Sequence, residues 1–555
     1  MIPNFSAAEQ AVHYPADRRT FIGLKPQVWY VLAILLIATM GVAWLQYLIW
    51  GLPADPGLIP VPKEKLAIGF PWWLRLSHWV NFFFLITIIR SGLSILADHP
   101  RLYFNNSCTP GSEWAKFTPL NIPEGKVWTA KEDARYISPV LGLPGYRHTV
   151  GLARCWHFIN VPFFLLNGVI FIVLLFSTDQ WRKLVPTSWS IIPDSWSVFV
   201  HYATFNMPIE PNGFYQYNAL QQLSYFAVVF LLAPIAMLSG MAMSPAIENR
   251  FHWFPKIFIN RQGARSVHFL VMLAYLAFLV VHVAMVVATG LVRNMNHIVN
   301  GTDSETDQTG LYFGIGFLIF LVLFAVFAHW FSWHRPRRLQ RLQALINGTL
   351  WEKTINKLKP KLVYSKEDIT PHFWANGKVP ESSEWKALAA NNFQDFKLKV
   401  GGLVENPMEF SLAELKKLGQ DENITMHHCI QGWSGIAEWG GLPMRKLIEV
   451  VRPHSSVKTV VFYSFGEGLY GGDYYDTHTL DNCMKPGALL AWEMNYEPLT
   501  ELYGAPLRLR VENQLGYKMV KWIARIEFVT SHTTVGKGYG GKNEDDEYFD
   551  LLANT

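Results

Sequence analysis

"SVHFLVMLAYLAFLVVHVAMVV", residues 266–287, is apolar almost throughout, yet it carries two histidines, His268 and His282. A bilayer-crossing α-helix takes about 20 apolar residues, and this run is long enough. Fourteen residues separate the histidines, close to four turns at about 3.6 residues each, so both rings face one side, about 21 Å apart along the axis. Ionisable groups inside a span are costly and usually functional. Two histidines so placed suit two stacked haems, one near each membrane face. The plainer reading of any one intramembrane histidine is a hydrogen-bonded packing residue.

Working outward, further apolar runs lie near 28–50, 72–97, 155–177, 219–242 and 310–334, which makes six spans. His78 lies near the start of the second, in "RLSHWVNFFFLITIIRSG", and His157 near the start of the third, in "ARCWHFINVPFF". Alternate spans run in opposite directions, so these two starts lie on opposite faces. His78 then pairs with His282, and His157 with His268, and each haem has two axial ligands. His329 and His334 in "FAHWFSWHRPRR" have no such partners and read as interfacial. Arg75 reads equally as a haem-propionate partner or as a membrane-end arginine.

The chain has 555 residues, half of them hydrophobic and 16% charged. Soluble proteins carry about 25% charged residues. The 22 tryptophans and 37 phenylalanines suit membrane-interface belts. A net charge of +5 gives no reason to expect nucleic acid. Cys108, Cys155, Cys429 and Cys483 show no CxxC spacing, so neither a zinc ribbon nor a disulfide scaffold is expected. After "HRPRRLQRLQ" (334–343) no long apolar run follows. The expected organisation is an N-terminal segment with the first span (1–65), a membrane domain (66–335), a basic linker (336–385), a soluble domain (386–535) and a polar tail (536–555).

In the soluble half, "KLKVGGLVENPMEFSLAELKKL" (397–418) predicts a strand, a turn at Asn406-Pro407 and a helix begun at Ser411. "TMHHCIQGW" (425–433) predicts a strand entering a loop. "GGLPMRKLIEVVRP" (440–453) predicts a turn, then a helix stopped by Pro453. "VKTVVFYSF" (457–465) predicts a strand, and 505–529 predicts strands about a Gly516 turn. Strands and helices mix without regular alternation, so the class is α+β. Cys429, after His427 and His428, has four readings. It is a small apolar filler, part of a zinc site, a nucleophile, or a lone thiolate on a metal held otherwise by a cofactor. The zinc site is weak, because adjacent strand residues point to opposite faces. No spacing supplies a base for a nucleophile.

Two resemblances sharpen this reading. "HPRLYF" (99–104), "YNALQQLSYFAVVFLLAPIAMLSGMAMSPA" (217–246) and "RQGARSVHFLVMLAYLAFLVVHVAMVVATG" (261–290) resemble the thiosulfate-reductase cytochrome b subunit. They resemble more distantly the cytochrome b subunits of formate dehydrogenase and nickel–iron hydrogenase. That resemblance implies a four-helix core holding two haem b on His78, His157, His268 and His282, exchanging electrons with membrane quinone. The first and sixth spans stand outside that core. "NNFQDF" (391–396), "HHCIQGWSGIAEWGGLPMRKLIEVVRP" (427–453) and "LLAWEMNYEPLTELYGAPLRLRVENQLGYKMVKWIARIEF" (489–528) resemble the sulfite oxidase family, on its methionine-sulfoxide-reductase branch. This implies a molybdopterin with Cys429 on molybdenum. Asn391, Gln394, Asp395, Ser464, Tyr503, Arg508, Met519, Val520 and Lys521 would line the pterin and its phosphate. Departures are Tyr503 where relatives carry Asn or His, Val511-Glu512 for "VP", and Gln394-Asp395 for a more aromatic pair. The arginine-rich pattern of true sulfite oxidases does not follow Cys429, which counts against sulfite. Cys483 reads as structural, and His427, His428 and Trp433 as candidates for the pocket wall.

The expected protein is therefore a six-span membrane bundle followed by an α+β molybdopterin domain, in a bacterial inner membrane. It would transfer oxygen atoms on a small or protein-borne substrate of the sulfoxide/sulfite class, passing electrons to or from quinone through two haems, with a homo-oligomer open. A second reading keeps the haems and makes the soluble half a non-catalytic docking module. A third is a haem-based membrane sensor. Basic residues crowd the face of the two termini: Arg18, Arg19, Lys25, Arg101, Lys116, Lys126, Lys131, Arg135, Arg147, Arg250, Lys256, Arg261, Arg265, Arg335, Arg337, Arg338 and Arg341. By the positive-inside rule this favours a cytoplasmic soluble half. The cytochrome family's usual orientation, with the extra sixth span, points the other way; "DRRTFIG" (17–23) resembles a twin-arginine signal but precedes five further spans and reads mainly as positive-inside charge.

Overall fold

The computed structural model describes residues 26–53, 68–118, 129–135, 137, 142, 150–207, 212–348, 354–355, 363–551 and 553–555. Arg18, Arg19, Lys25, Lys126, Arg147 and the 17–23 stretch lie outside these residues, as does part of the expected linker.

Helices in chain order are α1 (Pro26–Trp50), α2 (Trp72–Asp98), α3 (Val150–Phe176), α4 (Ile191–Ala203), α5 (Ala219–Ala242), α6 (Arg261–Ala288), α7 (Leu291–Val299), α8 (Thr309–His334) and α9 (Pro336–Gln343). Among the described residues, α1, α2, α3, α5, α6 and α8 are long and apolar enough to cross a membrane, and they match the six expected spans. Helices α4 and α7 were not read from sequence. Packing of α1 on α4 joins Ala43 to Val200 and Ala203, and Trp196 donates to Gln46 Oε1 at 2.8 Å. The sixth span, α8, lies on α2 through a ladder of rings, with Trp79, Phe82 and Phe83 against Phe313, Phe317, Phe320 and Phe324. Within α5, a π-helical turn over Ala227–Leu232 precedes Pro234. Proline lacks the N–H that would close the preceding turn, and a widened turn absorbs the loss. The Tyr275 hydroxyl of α6 donates to Val228 O in that turn, at 3.4 Å.

The soluble half is α+β. Besides the short pair β1 (Arg101–Leu102) and β2 (Ala115–Lys116) of the membrane half, one sheet runs β10 (Glu497–Pro498), β9 (Leu489–Met494), β6 (Ser434–Pro443), β5 (Asp421–His428), with β11 (Arg508–Arg510) also on β9. The other runs β4 (Met408–Ser411), β3 (Lys397–Gly402), β12 (Ile523–Val529), β7 (Thr459–Glu467), β8 (Asp473–Thr479). All pairs are antiparallel except β3 with β12. Leu398, Phe462 and Ile526 of one sheet share a buried core with Leu442, Leu490 and Leu509 of the other. The helix expected at Ser411 forms over Leu412–Leu418. Its Ser411 hydroxyl accepts from Glu414 N, and Glu414 returns a bond to Ser411 N, a capping box.

Two expectations change and one holds. Gly440-Gly441, read as a turn, lies inside β6, where the register against β9 shifts between the two residues. A Cβ on Gly441 would come within 2.2 Å of Leu490 O, so the glycine serves close strand approach, not chain reversal. The segment 505–529 holds the expected strands, β11 and β12, with a short 3₁₀ turn at Gly516–Lys518 between them. The last twenty residues are not a free polar tail. Glu544 is buried and, with Asp476, ion-pairs to buried Lys518. Arg337 of α9 donates to Glu544 O and Asp545 O, and its guanidinium lies 3.5 Å over Tyr539. Polar sequence here reflects internal partners rather than solvent.

Candidate functional site: two histidine pairs and a buried cysteine

Helices α2, α3 and α6 bring the four intramembrane histidines together in the two expected pairs. The ring centres of His78 and His282 are 6.3 Å apart, and those of His157 and His268 are 6.4 Å apart. The second pair is framed by a repeated Ser-Gly. Ser91 Oγ lies 3.1 Å from His157 Nδ1, and Ser239 Oγ lies 3.1 Å from His268 Nδ1. Gly92 and Gly240 follow these serines, and a Cβ there would stand 3.8 and 3.5 Å from the respective rings. Both Nδ1 atoms are thus occupied, which turns each Nε2 outward as the free nitrogen. His78 and His282 have an aromatic frame instead, with Phe278 stacked on His282 at 5.4 Å and Tyr225 edge-on at 5.9 Å. The serines were missed in the sequence, although "RSGLS" and "LSGMA" repeat within two spans. His329 and His334 join neither pair. His334 Nδ1 lies 3.0 Å from Trp330 O, and its ring stacks on that tryptophan.

Strand β5 delivers His427 and His428 to Cys429, and the loop 429–433 closes with Cys429 N donating to Trp433 O and Gly432 N to Cys429 O, both at 3.0 Å. Gly432 has φ +106°, and a Cβ there would meet Arg265 Nε at 3.3 Å. Cys429 Sγ lies 3.6 Å from Asn376 Nδ2 and 3.8 Å from Gln431 Oε1. Burial pushes the thiol up to about 12. A thiolate would therefore need a metal to form at neutral pH. His427 and His428 turn apart as strand alternation requires. His427 stacks on Trp433 at 5.3 Å, with Nδ1 3.0 Å from Arg510. His428 is buried with neither ring nitrogen paired. Among the described residues no group of three or more His, Cys, Asp and Glu is arranged to hold a metal ion.

Beside this loop cations gather, with Glu512 pairing to Arg510 at 3.3 Å. Arg508 and Arg510 lie 4.5 and 4.2 Å over the Trp439 ring. Lys521 Nζ donates to Leu502 O at 2.8 Å. Burial, then the neighbouring Arg510, lowers Arg508 well below its ordinary value, and burial, then Arg508, does the same to Lys521. Arg508 Nε is buried without a partner. This is the chemistry of a phosphate cradle. Ser464 Oγ donates to Lys521 O at 2.7 Å and fixes that strand crossing. The Tyr503 hydroxyl donates to Phe373 O at 2.7 Å, and Met519 Sδ lies 2.8 Å from Arg510. Val520 differs from expectation: its side chain belongs to the apolar core, and its carbonyl accepts from Leu509 N. Asn391 donates to Asp395 at 2.5 Å at the end of a helix over Ser383–Ala390, and one oxygen of Asn391 is buried and unpaired. The side chains of Gln394 and Asp395 are exposed.

The segment 372–377, unread in sequence, joins these parts. Phe373 meets Tyr503, Asn376 meets Cys429, and a Cβ on Gly377 would lie 3.7 Å from Lys521 Cε. The membrane half completes the surroundings. Gln431 Nε2 donates to Asp98 O at 3.1 Å, at the end of α2. Gln262, at the start of α6, donates to Gly432 O at 2.9 Å. The cysteine loop thus rests on the end of α2, which carries Ser91 against His157, and on the start of α6, which carries His268.

Two family models match, an oxidoreductase molybdopterin binding domain over residues 385–535 and a prokaryotic cytochrome b561 over residues 69–301. The putative protein-methionine-sulfoxide reductase subunit YedZ1 of Azospira oryzae is 31% identical over 36% of this chain and 69% of its own length. The protein-methionine-sulfoxide reductase catalytic subunits MsrP of Campylobacter jejuni and Xanthomonas axonopodis pv. citri are 32% and 31% identical, over 30% and 29% of this chain. Only 61% and 54% of those two subunits' own lengths are spanned. The sulfane dehydrogenase SoxCD of Paracoccus pantotrophus aligns at 22% identity over 25% of this chain and 40% of its own, with a TM-score of 0.23, too low to carry an argument. The chain is a multi-pass membrane protein and a molybdopterin oxidoreductase with haem b; it belongs to the family of the YedZ1 subunit, with a cytochrome b561 domain and a sulfite-oxidase-type molybdopterin domain in one polypeptide.

Proposed function

We propose that this chain exchanges electrons between membrane quinone and an oxygen-atom-transfer site at Cys429, by way of two haems. The observation that carries the reading is the seating of the Cys429 loop on the ends of α2 and α6, beside His157 and His268. Electrons need no mobile carrier between the two centres.

The residues fit the groups assigned to them. A metal–imidazole bond is about 2 Å long and the ring centre lies about 1.1 Å beyond the nitrogen, so two imidazoles that held one iron would have ring centres about 6.2 Å apart. The observed 6.3 and 6.4 Å support one iron between each pair. Cys429 would hold molybdenum, and Arg508 and Lys521 the pterin phosphate. When bound, the molybdenum–pterin supplies two-electron oxygen-atom chemistry. With a sulfoxide as substrate, the sulfur–oxygen bond breaks, and two electrons and two protons leave a thioether and water. A quinol supplies both electrons and protons. The apolar surroundings of Cys429 exclude bulk water and hold the loop rigid. A sulfoxide substrate is favoured by the methionine-sulfoxide reductase relatives. The test is purification with metal analysis and haem spectra, followed by assays of sulfoxides, N-oxides and sulfite with quinol and quinone. Protein lacking molybdenum, or haem that quinol does not reduce, rejects the reading.

A further inference from the structure

We infer that the substrate chamber at Cys429 is closed by the membrane half and admits only small solutes, with Asp98, His99 and Asn376 as its polar wall. This rests on the reading of Cys429 as the molybdenum ligand.

The closure is built from several directions. Cys429 lies in one continuous buried apolar cluster with Tyr103, Cys108 and Ala130 of the membrane half and Phe373 and Trp374 of the connecting segment. Hydrogen bonds pin the edges. Gln431 donates to Asp98 O and Ala130 O, Ser434 to Asn106 O at 3.3 Å, and Trp374 Nε1 to Cys108 O at 2.7 Å. A methionine-sulfoxide side chain presents its sulfur only two carbons beyond its own backbone. A polypeptide delivering that sulfur must bring main chain up to Cys429, where main chain of both halves already lies. A free sulfoxide or a small oxyanion has no such requirement.

The wall also has polar atoms with no partner inside the protein. One carboxylate oxygen of Asp98, Nδ1 of His99 and the amide oxygen of Asn376 are buried and unpaired. Buried polar atoms are seldom left so, which points to a ligand that meets them. They gather from three segments. Asn376 touches Cys429. Asp98 is tied to it through Gln431. The His99 ring stacks on Tyr103 at 5.9 Å and meets Trp374 edge-on at 5.4 Å. Burial, then Arg265 and Arg101, holds the His99 imidazole neutral, so Nδ1 offers a single neutral hydrogen-bonding position. Arg265 donates to His99 O and Arg101 O, both at 2.7 Å, beside Gly432. Its charge favours a substrate that turns a partly negative oxygen towards it, as a sulfoxide does, while the Asp98 and Asn376 oxygens oppose a full oxyanion.

The test uses the full holoprotein with reduced benzyl viologen as donor. Dimethyl sulfoxide and free methionine sulfoxide are compared with a decapeptide carrying one methionine sulfoxide and with oxidised casein. The expected result is turnover of a small solute, with kcat/KM at least about 100-fold lower for the decapeptide and none for casein. Decapeptide or casein turnover within about tenfold of the small solute overturns the inference, and so does failure of both small solutes. An independent readout is native labelling with maleimide-polyethylene glycol followed by peptide mapping. Cys108 stays unmodified if the wall is closed, and its labelling without denaturant overturns the inference. Molybdenum-free protein, or full turnover in Cys429→Ser, rejects the underlying reading as well. Polypeptide turnover by a molybdenum-loaded, Cys429-dependent enzyme rejects only the closed chamber.

Discussion

His157 and His268 meet across two helices, each ring set by a serine on a neighbouring helix, whereas Cys429 is surrounded by a strand end, the 372–377 segment, two membrane-helix ends and the loop after α2. The first kind of site is local to helix faces. The second depends on segments hundreds of residues apart and on both halves of the chain. The histidine pairs should therefore fail one at a time, leaving the rest intact. The cysteine site should fail with its own residue and also with the interface that seats it.

The sharpest attempt to break this contrast is Cys429→Ser. Turnover should fall at least about 10³-fold, since the hydroxyl is a far weaker metal ligand than the thiolate. The haem spectrum should not change. A loss of both signals would show that the two regions are not independent. The matching test in the membrane is His157→Leu. It should remove about half of the haem, as one of two irons loses an axial ligand, while molybdenum content remains. Pyridine haemochrome and metal analysis on one preparation measure both. Loss of all the haem would deny that the pairs are separate.

Gln431→Ala probes the seam. It removes the donor to Asp98 O and Ala130 O, together with the amide oxygen beside Cys429 Sγ, and leaves the histidine pairs untouched. Reoxidation of the haem by substrate should slow about tenfold, the equivalent of about 1.4 kcal/mol in barrier. Stopped-flow spectroscopy at the haem band reads this directly. An unchanged rate would mean that the seam does not set the coupling.

The two regions also differ in how much the sequence revealed. Span positions and the pairing of histidines follow from apolar run length and a fourteen-residue spacing, both local properties. Cys429, Ser464, Arg508 and Lys521 were proposed through motif resemblance, and the last three lie together, with the Ser464 hydroxyl bonded to Lys521 O and Arg508 buried. Asn376, Gln431, Asp98, His99 and Arg510 were not found, because contacts across as many as 333 residues leave no periodic trace. Gly440-Gly441 misled as a turn because a glycine pair marks chain reversal and close strand approach alike. The charge tally also meant something else in part. Arg101 is spent on Glu113 and Asp133, Arg265 on main-chain carbonyls, and Arg337 on the last segment, all within the seam between the halves. Such cations report an interface as much as a membrane side. Protease access to the soluble half in intact spheroplasts decides the side.

Glu438, in the strand leaving the cysteine loop, should make the soluble half respond to pH. Burial raises its carboxyl to about 7 from an ordinary 4.5. Between those values the folded state keeps a proton that the unfolded state has released, so stability falls as pH rises through that window. Glu438→Gln stays neutral and retains an oxygen for Tyr496 N. Its unfolding temperature should match the native chain near about pH 4 and exceed it by a few degrees near about pH 8. Equal temperatures at both would deny the buried proton.

The smallest effect expected is the most local. Ser91 Oγ accepts from Thr87 or Ile88 in no sense; it donates to their carbonyls or faces His157 Nδ1, and its lone pairs are then free to receive the imidazole N–H. An imidazole that donates its Nδ1 proton is a more electron-rich ligand through Nε2, which favours the oxidised iron. His78 Nδ1 is buried with no such partner. The haem at His157 and His268 should therefore have the lower potential of the two. Ser91→Ala should raise that potential alone, by about 50 mV, just under the 59 mV of a tenfold one-electron shift. A potentiometric titration resolving two haem steps measures it. Movement of both steps together would mean that the serine acts through the bundle as a whole, and the contrast between a local helix-borne site and a jointly built one would lose its strongest support.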